Sequence, residues 1–144
     1  MRAVRSIGRD TSGQAVIEFA LVLPLVLILM VSVWEFARAW NIQQVLTDAA
    51  REGARVAVVC NGAGKSSATC TTEAQTALDN ALSIAAIDPD DADIDLTGMG
   101  GGRGFPATVS ITLPYQFSFL GPLMGWTIGK SSINLSTTIT MRNE

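Results

Sequence analysis

Hydrophobic and polar positions divide this chain into a stretch with no polar face, a stretch with one, and a stretch of alternation. Phe19 to Trp34 carries no charge, and widening it to Ala15 and Ala37 gives 23 residues interrupted only by Glu18 and Glu35. As a helix rising about 1.5 Å per residue it measures about 35 Å, enough to cross a hydrocarbon core of about 30 Å with slight tilt. The rest of so short a chain could hardly wrap such a helix on all sides, which argues against the buried core helix of a soluble protein. A removed signal peptide would have a shorter apolar run ending in small residues. Here the run includes Trp34 and passes through Trp40 into a helical pattern.

From Asn41 to Val59 there is no proline, and small or apolar residues recur at Ile42, Val45, Leu46, Ala49, Ala50, Gly53, Ala54 and Ala57. That spacing predicts one continuous helix, half in lipid and half in water, whose alanine and glycine side admits close approach. Glu52 and Arg55, three apart, are set to pair on the opposite face. Asn61 to Thr69 reads as a polar loop. A second helix is expected over 71–87, capped by Thr71 or Thr72 with Glu73 in its first turn. Its apolar face carries Ala74, Ala77, Leu78, Ala81, Leu82 and Ala85.

The period then becomes two. Ile94 and Leu96 alternate with aspartates, and Val109, Ile111 and Leu113 with Ser and Thr, as do Ile133, Leu135, Ile139 and Met141. Three strands within 93–142, each with one apolar face, predict a small antiparallel sheet packed on the two outer helices. The fold class is α+β, with residues 14–40 as the membrane half of the long helix and 41–144 as the domain. Gly98 to Gly104 is expected to be a flexible connection between strands.

At 144 residues the chain suits one small domain. Arg2, Arg5 and Arg9 against Asp10 place the amino-terminal side in the cytoplasm and the domain across the membrane. Cys60 and Cys70 suit an oxidising compartment, where the expectation is a small closed loop and the alternative two thiols. A carboxylate at the edge of the apolar run, as at Glu18, is costly in lipid and marks a functional position. Pro24 removes a helix hydrogen bond to Ala20 and is expected to kink or loosen the helix there, making either a hinge or an ordinary membrane proline.

Gly13, four residues, Glu18-Phe19 and an apolar helix resemble the processing site of type IV prepilins. With Leu23-Pro24-Leu25, Glu35-Phe36-Ala37-Arg38-Ala39 and Ala49-Ala50-Arg51-Glu52-Gly53-Ala54-Arg55, the chain looks like the TadE-like minor pilins of tight-adherence (Flp) pilus systems. The resemblance covers about residues 13–57 and departs mildly at Phe19, where tyrosine is frequent. It implies that residues 1–13 are a leader and that a prepilin peptidase, for which this chain is substrate, cuts between Gly13 and Gln14. It further implies that Glu18 meets the freed amine of a neighbouring subunit; the alternative is that Glu18 snorkels to the headgroups. Partners so implied are other pilin subunits, the inner-membrane assembly platform and membrane lipid. The location is the bacterial inner membrane, or outside the cell in a pilus. A different class remains open, a single-pass anchored binding module that never polymerises.

Phe117, Phe119, Leu120, Leu123, Met124 and Trp126, between Tyr115 and Trp126, are too apolar for an ordinary exposed loop. The preferred reading folds them beneath the sheet. Otherwise they form a contact surface for another pilin, the assembly platform or the outer leaflet.

No constellation for catalysis is evident. Histidine is absent, which removes imidazole-based triads and zinc sites. Gly64-Lys65-Ser66 and Gly129-Lys130-Ser131 lack the first glycine of a phosphate loop, having Val59 and Met124 there. Asp88, Asp90, Asp91, Asp93 and Asp95 are suitable calcium ligands, but Leu96 replaces the glycine of an EF-hand loop, so a solvated acidic edge is the simpler reading. Loss of three arginines and Asp10 with the leader would move the net charge from −3 to −5, against nucleic-acid binding. No cofactor or metal is expected.

Overall fold

The computed structural model describes residues 11–102 and 104–142. Arg2, Arg5, Arg9 and Asp10, the charges that oriented the sequence reading, lie outside the described residues. The first element, α1, is a single helix over Thr11–Gly62, 52 residues long and unbroken at Pro24. It extends about 78 Å at about 1.5 Å per residue. It outruns the expected end at Val59 and stops where Gly64, with φ +71°, turns the chain.

Helix α2 spans Ser67–Ile84, four residues earlier at its start than expected. The cap is Ser66, whose Oγ accepts from the Thr69 amide at 3.2 Å. Thr71 and Thr72 lie inside the helix, and their hydroxyls donate to the Ser67 and Ala68 carbonyls one turn back. The helix also ends before residue 87. The Ala86 amide donates to the Ser83 carbonyl and the Ile87 amide to the Leu82 carbonyl, with Ala86 at φ +58°. That hydrogen-bonded left-handed turn closes the helix before Pro89 is reached. A disulfide joins Cys60, in the last turn of α1, to Cys70, in the first turn of α2, with Cα atoms 5.4 Å apart. Closing so short a loop stabilises a small domain by about 2–4 kcal/mol.

Strands β1 (Asp93–Thr97), β2 (Pro106–Gln116) and β3 (Ser132–Arg142) form an antiparallel sheet in the order β1-β2-β3. A short helix, α3 (Leu120–Ile128), lies within the β2–β3 connection. The register pairs Leu96 with Val109, and Val109 in turn with Ile139, so apolar residues line up across one face. The other face is hydroxylated: Thr108 faces Thr140 at 2.9 Å and Ser110 faces Thr138 at 3.0 Å. The fold is the α+β arrangement that the periodicity predicts.

The core lies between the apolar sheet face and the outer half of α1 with α2. Leu46, Ala50, Ala54, Ala57, Leu78, Leu82, Val109 and Ile111 are fully buried there. The small residues of α1 allow α2 to come close. A Cβ on Gly53 would sit 2.7 Å from Leu78 Cγ, so only glycine fits without repacking. The glycine-rich connection, expected to be flexible, is docked instead. The Gly100 amide donates to Asn61 Oδ1 at 2.7 Å, Ser67 donates to the Met99 carbonyl, and Met99 enters the core. Met99 and Gly100 are thus held by side chains at the end of α1 and the start of α2.

Candidate functional site

The residues singled out for processing and assembly lie along the first two turns of α1 and just beyond. Gly13, Gln14, Glu18 and Phe19 are all exposed, and none is covered by the domain. Gln14 Nε2 donates to Glu18 Oε1 at 3.2 Å, the one-turn spacing that brings positions 14 and 18 to one helix face. The Glu18 carboxyl therefore sits beside the residue whose amine a cut after Gly13 would expose. Phe19 is 65% exposed. The bare surface continues through Leu21, Leu25, Leu29 and Val33, giving an 18-residue window of mean hydropathy 2.8 with none of it buried. By length and composition α1 is able to span a membrane.

At the far end of that bare run the helix acquires partners. Glu35 is 1% exposed although it stands beside exposed Trp34 and Phe36. Its Oε1 accepts from the Phe119 amide at 2.6 Å and its Oε2 from the Leu120 amide at 2.9 Å. Phe119 is the cap position of α3 and supplies no side-chain cap of its own. The first amides of any helix lack partners within it. Glu35 thus caps α3 from another helix, and its acidic group faces the end of α3 where the helix dipole is positive. Hydrogen bonds of backbone amides to such a group contribute about 1.5–3 kcal/mol.

Aromatic groups surround this junction. The rings of Trp34 and Phe119 meet edge-on with centroids 6.0 Å apart, and the Arg38 guanidinium lies 5.9 Å from the Trp34 ring centroid. Phe36 stacks near Trp40 at 6.4 Å. Sequence reasoning gave Glu35 no role beyond its place in a motif, and assigned no helix to residues 120–128. One signal was available. A lone acid closing a charge-free helix run needs a donor, and the apolar Phe119–Trp126 stretch offers amides with no local cap.

The preferred reading of that stretch, burial beneath the sheet, is overturned. Phe119 is 64% and Trp126 86% exposed, and Leu123 is also exposed. Phe117, Leu120 and Met124 are partly buried, while Tyr115 alone of the region turns into the sheet's inner face at 8% exposure. The reason is spatial. The space under the sheet is filled by the outer half of α1 and by α2, so α3 is left beyond the end of the strands.

Elsewhere, the acidic residues 88–95 serve local structure. Asp88 caps a short turn by accepting from the Asp90 amide at 3.1 Å, and Asp93 and Asp95 lie on the exposed face of β1. Among the described residues no three carboxylate, imidazole or thiol groups converge to hold a metal ion. Glu52 accepts from Arg55 at 2.6 Å and 3.0 Å, and this hydrogen bonding holds its carboxyl below the usual value of 4.5.

Comparison with known proteins adds one match. The sequence model of the TadE-like protein family covers residues 13–55. No curated protein and no solved structure matches the chain. The matched segment begins at Gly13 and contains Glu18, Pro24, Glu35 and Gly53. Over residues 13–55, the bare half of α1 and most of its packed half, this chain is similar to the TadE-like protein family.

Proposed function

We propose that this protein is a minor pilin or pseudopilin associated with a tight-adherence pilus, acting through assembly and not catalysis. It enters the bacterial inner membrane as a single-pass precursor with its amino terminus in the cytoplasm and its domain outside. A prepilin peptidase cuts it between Gly13 and Gln14, and Glu18 then receives the freed amine of a neighbouring subunit. The observation that carries this reading is the family match beginning at Gly13, on a helix whose Glu18 stands uncovered by the domain. An uncompensated carboxylate at the edge of lipid is unfavourable, and an opposite charge supplied by the next subunit relieves it. Glycine before the cut suits a backbone that must enter a narrow peptidase site, and the structure offers open space around Gly13.

The α1 helix runs through the Gly13–Gln14 bond, so the peptidase must unwind its first turns. This is an inexpensive step, because helix ends fray. Pro24 supplies a further weak point, where the helix lacks one hydrogen bond.

Intact-mass measurement of the protein from its native membrane tests the processing step. A mature species starting at Gln14, lost in Gly13→Leu, is the expected result. Glu18→Ala should still be inserted and trimmed yet fail to enter a pilus. A functional complex retaining residues 1–13 would instead support a permanently anchored binding module, and normal assembly of Glu18→Ala would reduce Glu18 to a snorkelling residue.

A further inference from the structure

We infer that α3 is a membrane-interfacial helix. On this reading it rests its Phe119, Pro122, Leu123 and Trp126 edge in the lipid leaflet on the domain's side. The inference depends on the proposed membrane insertion of the first half of α1, and it assigns the apolar patch to lipid and not to a protein partner.

Its position is fixed by α1. Descending that helix toward the bare half, Thr47 meets Thr137 at 3.4 Å, Gln43 donates to the Ser136 carbonyl at 2.9 Å, and Glu35 takes the Phe119 and Leu120 amides. The β2–β3 connection is therefore the part of the domain nearest the apolar run. The glycine connection, tied to Asn61, is at the opposite end. From Ala15 to Glu35 is about 30 Å of helix at 1.5 Å per residue, the thickness of a hydrocarbon core. Glu35, and α3 with it, then falls at the boundary between acyl chains and headgroups.

The chemistry of α3 suits that depth. Its exposed residues Phe119, Pro122, Leu123 and Trp126 recur at the spacing of one helix face. No charged residue occurs from Tyr115 to Ile128, and Lys130 follows directly after the helix, where an ammonium reaches lipid phosphates. Trp34, Phe36 and Trp40 form an aromatic collar on α1 at the same level, typical of the interface zone. The exposed face of α3 is thus continuous with the apolar surface of the span. Glu35 joins the two, so the bare stripe of α3 meets the same lipid as Val33 and Trp34.

Tryptophan quenching in vesicles tests this. The full chain carries Trp34, Trp40 and Trp126, so Trp34→Phe with Trp40→Phe leaves Trp126 as the reporter, and Trp40→Phe with Trp126→Phe leaves Trp34. Each is reconstituted in phosphatidylethanolamine and phosphatidylglycerol vesicles with acyl chains brominated near the carbonyl end. Both reporters should lose roughly half their emission relative to unbrominated vesicles, as expected for rings at the headgroup boundary. Quenched Trp34 with unquenched Trp126 would overturn the inference while sparing membrane insertion. In that case a blue-shifted Trp126 would show the ring shielded by protein and assign the patch to a protein contact. If neither ring is quenched, membrane insertion of α1 fails and the α3 inference fails with it.

Discussion

The two halves of α1 share one unbroken backbone and follow opposite rules. Up to Trp34 the helix displays bulky side chains in every direction, with Leu21 at 73% and Met30 at 63% exposure. From Ala39 onward it hides a narrow strip of alanine, glycine and Leu46 and turns Arg51 and Arg55 to water. Helix propensity does not distinguish the halves; the size and placement of their side chains do. Large side chains on all faces suit a medium of acyl chains, whereas small ones on one face suit close packing against α2 and the sheet. The carboxylates at the ends of the bare half differ in the same way. Among the described residues, Glu18 is exposed and bonded within its own helix, while Glu35 is buried and bonded to another.

That contrast can be broken most strongly by removing one leucine from each half. Leu46→Ala should lower the domain's stability by about 3 kcal/mol, since a fully buried leucine leaves a cavity. Leu27→Ala should leave it unchanged within about 0.5 kcal/mol, because Leu27 is exposed in the bare half of α1. Urea unfolding in detergent, read by circular dichroism, makes the comparison. Equal losses would mean that the bare half is packed after all.

The next effect sharpens the comparison between the carboxylates. Glu35→Gln replaces one acceptor by a donor facing an amide, and should destabilise the α3 junction by about 2 kcal/mol. Amide exchange at Phe119 and Leu120 should accelerate, whereas Glu18→Gln should alter no amide in the domain. Unchanged protection at those two amides would show that α3 holds its place without the cap.

The smallest effect belongs to the packed half's water-facing side. Because Arg55 depresses the folded-state value of Glu52 below 4.5, the pair's stabilisation is complete above the unfolded value and fades as pH falls through the lowered one. The pair is exposed, so Glu52→Gln should cost no more than about 0.5 kcal/mol near neutral pH and nothing in strong acid. A larger loss at pH 7 would place Glu52 in a tighter network than a surface pair.

Much of this architecture is written locally. The charge-free run, the alanine and glycine strip and the alternating Ile, Val and Leu of the strands each carry their own period, and period selects helix or strand. The helix ends were less legible, because several residues compete for each boundary. Ser66 takes the cap before Thr71 or Thr72 can, and Ala86 closes α2 through a left-handed turn that alanine does not advertise. The glycine connection looked loose since composition cannot reveal the Asn61 and Ser67 groups that fasten it. Gly13, Gln14 and Glu18 could be singled out from the sequence because the roles proposed for them depend on spacing along one helix.

By itself the sequence determined a long helix with a bulky apolar half and a small-residue half, a second helix, a three-stranded sheet, and the Gly13-to-Glu18 spacing that lies within the TadE-like match. Only tertiary structure decided that Glu35 would cap a helix starting 85 residues later, and that Phe119 and Trp126 would remain bare. The physical reason is reach. Periodicity and capping act over a turn or two of chain, but a carboxyl group and the amides that satisfy it are brought together by how the sheet returns along α1.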